Sequence, residues 1–229
     1  MKKALFWDFD GTLIHANTSF FDALSFSLKK NGYEVPAEQL KELLLLACSW
    51  NSPEISYTEN IGAEWWDSLF CKFKVFYKEN NIDNDAIHDK INQCFKEWVF
   101  NYKNYTLYKD SEFILSKCRQ NGYKNYILSN NFPELPKVIE DLGISKYFDG
   151  YIISSNTGYE KPRTELFEYA LKIAGNPQQC FMIGDNPIAD IQGGNSAKIK
   201  TILVNNDASC NADYKCRNLI DIFAVLDLV

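Results

Sequence analysis

From residue 105 onward the sequence alternates short apolar runs with helical segments, and this alternation constrains the fold more than any other feature. It is typical of a parallel sheet with helices on its faces. The apolar runs lie at 123–128, 151–154, 180–183 and 199–204, the helical segments lie at 110–121, 133–142, 163–174 and 188–196, and a last helix lies at 218–228. With one more apolar run at 4–9, we predict an α/β fold with a five-stranded parallel sheet.

The intervening stretch has a different character, because its apolar residues follow helical spacing. Phe20, Leu24 and Leu28 recur on one helical face before Gly32, and Pro36 suits the first turn of a second helix. Two more helices are predicted at 63–79 and 85–100. We therefore predict a helical domain at 17–105, inserted into a sheet domain made of 1–16 and 106–229.

Composition excludes several classes of protein. The net charge of −6 provides no basic face for a nucleic-acid polymer, and no run reaches the roughly 18 apolar residues that a membrane span needs. The seven cysteines are scattered without zinc-ligand spacing, so we expect reduced thiols and a cytoplasmic location. A small diffusing substrate fits these properties, and the oligomeric state stays open.

Polar side chains follow the predicted strands at the points where the strands end. Asp8 lies at the carboxyl end of the first strand, Asp10 comes just after it, and Ser129 follows the second strand. Lys161 follows the third strand, and Asp185 follows the fourth. Because the carboxyl ends of parallel strands meet at one edge of a sheet, we expect these side chains to share a crevice.

Such a cluster suits phosphoryl transfer. Several close carboxylates repel one another, and an all-oxygen set of ligands favours Mg²⁺. Lys161 and the Ser129 hydroxyl can interact with phosphoryl oxygens, where the charge of the transition state is spread. Each residue alone is also typical of a turn, a helix cap or a solvated surface, so the hypothesis depends on their joint order.

Four segments together resemble the motifs of the haloacid dehalogenase-like superfamily, whose core is a Rossmann-like sheet with an inserted helical cap. The resemblance implies that Asp8 is the nucleophile and that Asp10 protonates the leaving oxygen and then activates water. The segments are Asp8-Phe9-Asp10-Gly11-Thr12-Leu13, Ser129-Asn130, Gly158-Tyr159-Glu160-Lys161-Pro162 and Gly184-Asp185-Asn186-Pro187-Ile188-Ala189-Asp190.

The same resemblance implies the remaining site residues. Mg²⁺ would be held by the carboxylates of Asp8 and Asp185 and by the main-chain carbonyl of Asp10. Asp190 would support the waters of the metal or Lys161. The phosphate would be bound by Ser129, Asn130 and Lys161, with Thr12 and Asn186 in supporting positions.

The function expected from these residues is hydrolysis of a small phosphorylated metabolite. Two alternatives stay open: a sugar phosphomutase of the same superfamily, and a non-catalytic protein that binds a phosphorylated ligand or a partner. Asp10 and Asp185 argue against a dehalogenase, which needs neither residue. Candidate substrates are sugar phosphates, phosphoglycolate-like acids and nucleoside monophosphates.

The histidines and tryptophans give weaker indications. We expect His88 to be an exposed helix residue, and His15, beside the first motif, is a candidate substrate contact. Four tryptophans of the helical domain are expected mainly in its core, with some aromatic side chains facing the substrate; they are Trp50, Trp65, Trp66 and Trp98.

Overall fold

The computed structural model describes residues 2–16 and 19–227. Within these residues, six strands form one sheet. The strands are β1 (Lys3–Trp7), β2 (Tyr123–Ser129), β3 (Gly150–Ile153), β4 (Gln179–Gly184), β5 (Lys200–Val204) and β6 (Tyr214–Cys216). The α-helical segments are α1 (Ser19–Lys30), α2 (Ala37–Ala47), α3 (Ala63–Glu79), α4 (Asp85–Phe100), α5 (Ser111–Gln120), α6 (Leu135–Asp141), α7 (Thr164–Ile173), α8 (Gly193–Ser196) and α9 (Ile222–Leu226).

The sheet has the strand order β3-β2-β1-β4-β5-β6, and all neighbouring strands are parallel. Trp7 at the end of β1 pairs with Ile127 of β2 on one side and with Ile183 of β4 on the other. The strand order therefore reverses at β1, which is where open α/β sheets form their ligand crevice. This fold is the Rossmann-like arrangement predicted from the sequence.

Alternate residues of β1 enter two separate apolar cores. Leu5 and Trp7 belong to one core, and Ala4 and Phe6 belong to the other, where they pack with Phe167 of α7. Successive side chains of a strand point to opposite faces, so both faces of this sheet are covered. The burial explains why the predicted strands are nearly continuous apolar runs.

Helices α1 to α4 pack together as a helical block. Phe20 of α1 meets Phe95 of α4 edge to face, with ring centroids 5.1 Å apart. Phe132, in the loop after β2, contacts Trp66 and Phe100 at centroid distances of 5.9 and 5.7 Å. The block therefore shares an aromatic core with the loop after β2. In the described ranges, no helix combines the length and the apolar character that crossing a membrane requires.

The predicted bounds of α3 and α4 are confirmed, whereas the sheet has one strand more than predicted. The additional strand, β6, is only three residues long and two of its residues, Tyr214 and Lys215, are exposed. It contains no apolar run that could signal a strand. Its register is set by pairing with β5, where Ile202 lies beside Tyr214.

Two predicted helices are less regular than expected. The segment predicted as a helix at 188–196 begins as a π-helical turn, Pro187–Gln192, and continues as α8. The last helix is shorter than predicted: a 3₁₀ turn at Leu219–Asp221 leads into α9, and the final predicted residue, Leu228, lies outside the described residues.

The prediction that His88 is exposed is wrong. Its side chain is fully buried, Nε2 is hydrogen bonded to the carbonyl oxygen of Ile82, and its ring packs against Tyr77. His88 precedes the buried residue Ile91 by three positions and the buried residue Phe95 by seven, so all three lie on one face of the helix. It therefore belongs to the inward face of α4, and its polar ring is accommodated there by a main-chain acceptor.

Candidate active site

A buried lysine lies between two carboxylates at the carboxyl end of the sheet. Lys161 Nζ is 2.8 Å from Asp8 Oδ1 and 2.5 Å from Asp190 Oδ1. Burial by itself lowers the pKa of Lys161, but Asp190 and Asp8 outweigh burial and raise the pKa above its ordinary value. The ammonium is therefore held in its charged form by two partners from different loops.

Lys161 is positioned through its backbone by the segment that follows β2. The Asn130 side chain donates to the carbonyl oxygen of Lys161 at 3.0 Å and accepts from its N–H at 2.7 Å. This two-way pairing fixes the loop that carries Lys161 against the end of β2. Ser129, at that end, is buried and lines the same cleft.

Asp10 is held by an asparagine that the sequence prediction did not include. Asn131 Nδ2 donates to Asp10 Oδ2 at 2.7 Å. Burial, followed by the neighbouring charge of Asp8, raises the pKa of Asp10 to about 7. A carboxyl group with this pKa can both donate and accept a proton near neutral pH.

Asp185 follows β4 and lies next to the glycine of the first motif. Thr12 Oγ1 is 3.4 Å from Asp185 Oδ1. Gly11 adopts a φ of +76°, and a Cβ on it would lie only 2.3 Å from Asp185 Oδ2. Burial, and next the charge of Asp8, raises the pKa of Asp185 to about 6. Gly11 thus provides the space that the Asp185 carboxylate occupies.

Asn186 and Gly184 place Asp190 beside Lys161. The Asn186 side chain caps the following π-helical turn by accepting from the N–H groups of Ile188 and Ala189. The N–H of Asn186 donates to Asp190 Oδ2 at 3.0 Å, and a Cβ on Gly184 would lie 2.0 Å from the same oxygen. Asp190 reaches Lys161 because the N–H of Asn186 orients its carboxylate and because Gly184 lacks a side chain that would occupy the same space.

The carboxylates form a set that suits a hard divalent cation. Asp8, Asp185 and Asp190 each offer an oxygen, and these oxygens lie within 4.8 Å of one another. All are oxygen donors, and burial together with the charge of Asp8 raises the pKa of Asp185, so a cation beside these carboxylates would be favourable. The residues therefore fit Mg²⁺, although Asp190 is already paired with Lys161.

Asp8, Asp10 and Asp185 line the floor of a cleft of about 1230 Å³ between the sheet and the helical block. Asp8, Asp10 and Lys161 line the floor, and the opposite wall comes from the helical block and is mainly apolar. Its apolar residues include Phe20, Phe21, Leu44, Leu45, Cys48 and Trp50.

A family model described as haloacid dehalogenase-like hydrolase matches residues 2–198. The chain belongs to the haloacid dehalogenase-like hydrolases. Among curated relatives of this hydrolase, human haloacid dehalogenase-like hydrolase domain-containing protein 3 is 24% identical over 207 residues, or 88% of this chain and 81% of that protein. Phosphoserine phosphatase of Thermus thermophilus is 29% identical over 128 residues, or 53% of this chain and 51% of that protein.

Solved structures share the fold of this hydrolase along its whole length. The Bacillus subtilis protein YfnB, solved bound to magnesium, has a TM-score of 0.75 at 20% identity over 99% of both chains. A 2-haloacid dehalogenase from Pseudomonas syringae has a TM-score of 0.72 at 21% identity over 99% of both chains. Similarity at these identities shows the fold, so the reaction has to be inferred from the site.

The haloacid dehalogenase-like site also contains two asparagines that the sequence prediction missed. Asn205 Nδ2 donates to the carbonyl oxygens of Gly11 and Thr12, and Asn206 Nδ2 donates to that of Asp185 at 2.7 Å. Both follow β5. The other site residues were predicted because they are polar and come at the end of a predicted strand. Asn205 and Asn206 have the same signal after β5 and could have been predicted in the same way.

The histidine and tryptophan predictions have mixed outcomes. His15 is exposed and its ring packs against Tyr108 at a centroid distance of 4.0 Å. Trp65 and Trp66 are buried in the aromatic core, as expected, whereas Trp50 lines the cleft. The turn of residues 49–51 therefore brings an aromatic side chain of the helical block to the site.

Proposed function

We propose that this protein is a Mg²⁺-dependent phosphatase that hydrolyses a small phosphorylated metabolite through an aspartyl-phosphate on Asp8. One arrangement carries the proposal: Asp8 lies 2.8 Å from the Lys161 ammonium, while nearby Asp10 has a pKa raised to about 7. A carboxylate held beside a fixed cation suits a nucleophile, and a neighbouring carboxyl group with a pKa near neutral suits an acid–base catalyst. The relative named phosphoserine phosphatase supports this reaction class.

The metal ligands we propose are the carboxylates of Asp8 and Asp185 and the main-chain carbonyl of Asp10. When bound there, Mg²⁺ would offset the negative charge of the phosphoryl group and of the carboxylates. Thr12 and Asn206 would keep Asp185 in place through their hydrogen bonds to its side chain and main chain.

In the first step, a carboxylate oxygen of Asp8 attacks phosphorus and the bond between phosphorus and the ester oxygen breaks. Asp10 donates its proton to that oxygen, so the leaving group departs as a neutral alcohol. Asn131 keeps the Asp10 carboxyl group oriented by donating to Oδ2. The result is a phosphorylated Asp8.

In the second step, Asp10 accepts a proton from a water molecule whose oxygen attacks phosphorus. The bond between phosphorus and Asp8 breaks, inorganic phosphate leaves, and Asp10 regains the proton that it had given up. Asp10 thus serves as acid and then as base.

Lys161 and Ser129 are proposed to interact with phosphoryl oxygens. The Lys161 ammonium is adjacent to the attacking carboxylate, so a phosphoryl group bound to Asp8 would lie within its electrostatic reach. Asn130 is proposed to support phosphate binding by fixing the backbone of Lys161. Asp190 keeps the ammonium in place from the opposite side.

Residues 17–105 are proposed to form a helical cap over the site. The described helices α1 and α2 supply most of the cleft wall opposite the carboxylates. That wall excludes water from the reacting groups and contacts the leaving group. Its apolar residues and the cleft volume of about 1230 Å³ favour nucleoside monophosphates over two-carbon acids such as phosphoglycolate.

The test is release of inorganic phosphate from nucleoside monophosphates, sugar phosphates and phosphoglycolate, with Mg²⁺ or with EDTA. We expect Asp8→Asn to lower kcat at least about a thousand-fold and Asp10→Asn to lower it by about a hundred-fold or more. Mass spectrometry of acid-quenched enzyme should detect a phosphorylated peptide that contains Asp8.

The matched control is Asp67→Asn on the exposed face of α3, which should leave kcat unchanged. Activity that survives Asp8→Asn or EDTA would contradict the mechanism. Isomerised sugar phosphate without free phosphate would identify a phosphomutase instead. Phosphate release from no substrate would favour a protein that only binds a phosphorylated ligand.

A further inference from the structure

Segment 49–62 of the helical block is joined to loop 154–163, which carries Lys161. Both segments border the cleft, the first through Trp50 and the second through Lys161. Three hydrogen bonds to main-chain oxygens connect them: Tyr57 N–H to Gly158 at 3.0 Å, Gly62 N–H to Ser155 at 2.9 Å, and the Arg163 guanidinium to Glu54 at 2.7 Å.

The two segments approach so closely that one position has no room for a side chain. Gly158 has a φ of +81°, and a Cβ on it would lie 2.5 Å from the Cα of Thr58. Because a side chain at this position would overlap the backbone of Thr58, only glycine fits here. The junction is therefore a specific contact between the helical block and the sheet domain.

Glu160 is the buried centre of this junction. Its side chain is fully buried, and Oε1 accepts hydrogen bonds from Ser49 Oγ at 2.6 Å and from the Tyr57 hydroxyl. Ser49 Oγ in turn accepts from Trp65 Nε1 at 3.1 Å. A buried carboxyl group is costly unless donors satisfy it. Both donors to Oε1 come from the helical block, whereas Oε2 has no hydrogen-bond partner among the described residues.

The position of Glu160 in the chain links the two walls of the cleft. Glu160 immediately precedes Lys161, and its partner Ser49 immediately precedes Trp50. One carboxylate therefore joins the phosphate side of the cleft to its aromatic wall. The chemical steps proposed above do not use it.

We propose that Glu160 is a positioning residue, which fixes Trp50 relative to Lys161 through Ser49 and Tyr57 and thereby determines how tightly the leaving group is held. The inference rests on the proposed phosphatase function. It predicts an effect on substrate binding, because the group that Glu160 orients is the cleft wall and not the nucleophile.

The test compares Glu160→Ala with Glu160→Gln. The alanine variant loses both hydrogen bonds, so KM for a nucleoside monophosphate should rise about tenfold while kcat changes less than about threefold. Glutamine retains an acceptor at Oε1 and should restore KM. Inorganic phosphate has no leaving group, so inhibition by it should be the same in all variants.

Tyr57→Phe is the milder variant and removes only one hydrogen bond, so a rise in KM of about threefold is expected. The matched control is Glu168→Ala, at an exposed position of α7, and its KM and kcat should equal those of wild type. A second measurement, acrylamide quenching of tryptophan fluorescence, needs no substrate. Quenching should increase in Glu160→Ala, and the increase should vanish in a Trp50→Phe background.

The outcomes separate the two proposals. If wild type releases phosphate, the phosphatase proposal stands. The role of Glu160 would then be overturned by an unchanged KM in Glu160→Ala, or by a rise in KM in Glu160→Gln as large as that in Glu160→Ala. Absence of phosphate release from wild type on every substrate would overturn the proposed function. In that case unchanged quenching in Glu160→Ala would overturn the positioning role as well, and increased quenching would support it.

Discussion

The ammonium nitrogen of Lys161 lies 2.8 Å from Oδ1 of Asp8, although the two residues are 153 positions apart. Both side chains are almost fully buried, and Asp190 holds the ammonium from the other side. In water such a pair contributes little, whereas here burial limits the access of solvent to both partners. The candidate nucleophile is therefore part of the structural core of the site.

Lys161→Met should destabilise the protein, because it leaves the carboxylates of Asp8 and Asp190 buried without a cation. Breaking a buried pair in this way costs about 3–5 kcal/mol of unfolding free energy. Urea denaturation at pH 8 in EDTA measures the change. Lys137→Met removes surface pairs with Glu140 and Asp141 and should change the urea midpoint far less. Equal midpoints for wild type and Lys161→Met would contradict this account.

Gly11→Ala should weaken Mg²⁺ binding, because the new Cβ would displace the Asp185 carboxylate. Loss of support for a ligand typically lowers metal affinity by about 10–100-fold, which titration calorimetry measures. Gly122 also has a positive φ, +80°, but nothing lies within 4 Å of its Cβ position. Gly122→Ala should therefore cost about 1–2 kcal/mol of stability and leave Mg²⁺ affinity unchanged. Similar affinities for the two variants would refute the steric explanation.

Glu160 should make the protein less stable as pH rises. Burial raises the pKa of Glu160 above its ordinary value of 4.5, and its hydrogen bonds from Ser49 and Tyr57 only partly oppose this. The folded state thus keeps a proton that the unfolded chain has lost, so unfolding free energy falls with pH through that window.

Glu160→Gln removes this titration. Its stability relative to wild type should increase as pH rises above 4.5, when unfolding is measured by urea in metal-free buffer. For Glu168→Gln, at an exposed position, the unfolding free energy should instead change with pH in parallel with that of wild type. Parallel curves for Glu160→Gln would show that Glu160 titrates alike in the folded and unfolded states.

Trp66→Phe should loosen the helical block from the sheet domain. Trp66 Nε1 donates to Glu134 Oε2 at 2.8 Å, and its ring packs against Phe132. Loss of a hydrogen bond to a charged acceptor costs about 1.5–3 kcal/mol. Trp98→Phe, at a partly exposed position of α4, should cost less. Thermal unfolding of both variants tests the ranking, and a greater loss for Trp98→Phe would contradict it.

The elements and the clustering of the motif residues could be predicted from sequence because their signals are local. The apolar run of β1 and the helical spacing of apolar residues in α3 and α4 indicate which faces of these elements are buried. Asp8 and Asp185 directly follow β1 and β4, and Ser129 ends the neighbouring β2, so the parallel register alone brings them to one edge. Strand β6 gave no such signal, since two of its three residues are exposed.

The sequence by itself determined the sheet, the helical stretch and the acidic residues at the strand ends, because periodicity and strand order specify those features. Only the tertiary structure decided the partners. Asn131 reaches Asp10 and Glu160 reaches Ser49 across more than 100 positions, and His88 is buried against Tyr77. Such contacts depend on how loops and helices pack around a common core, and local spacing carries no information about that packing.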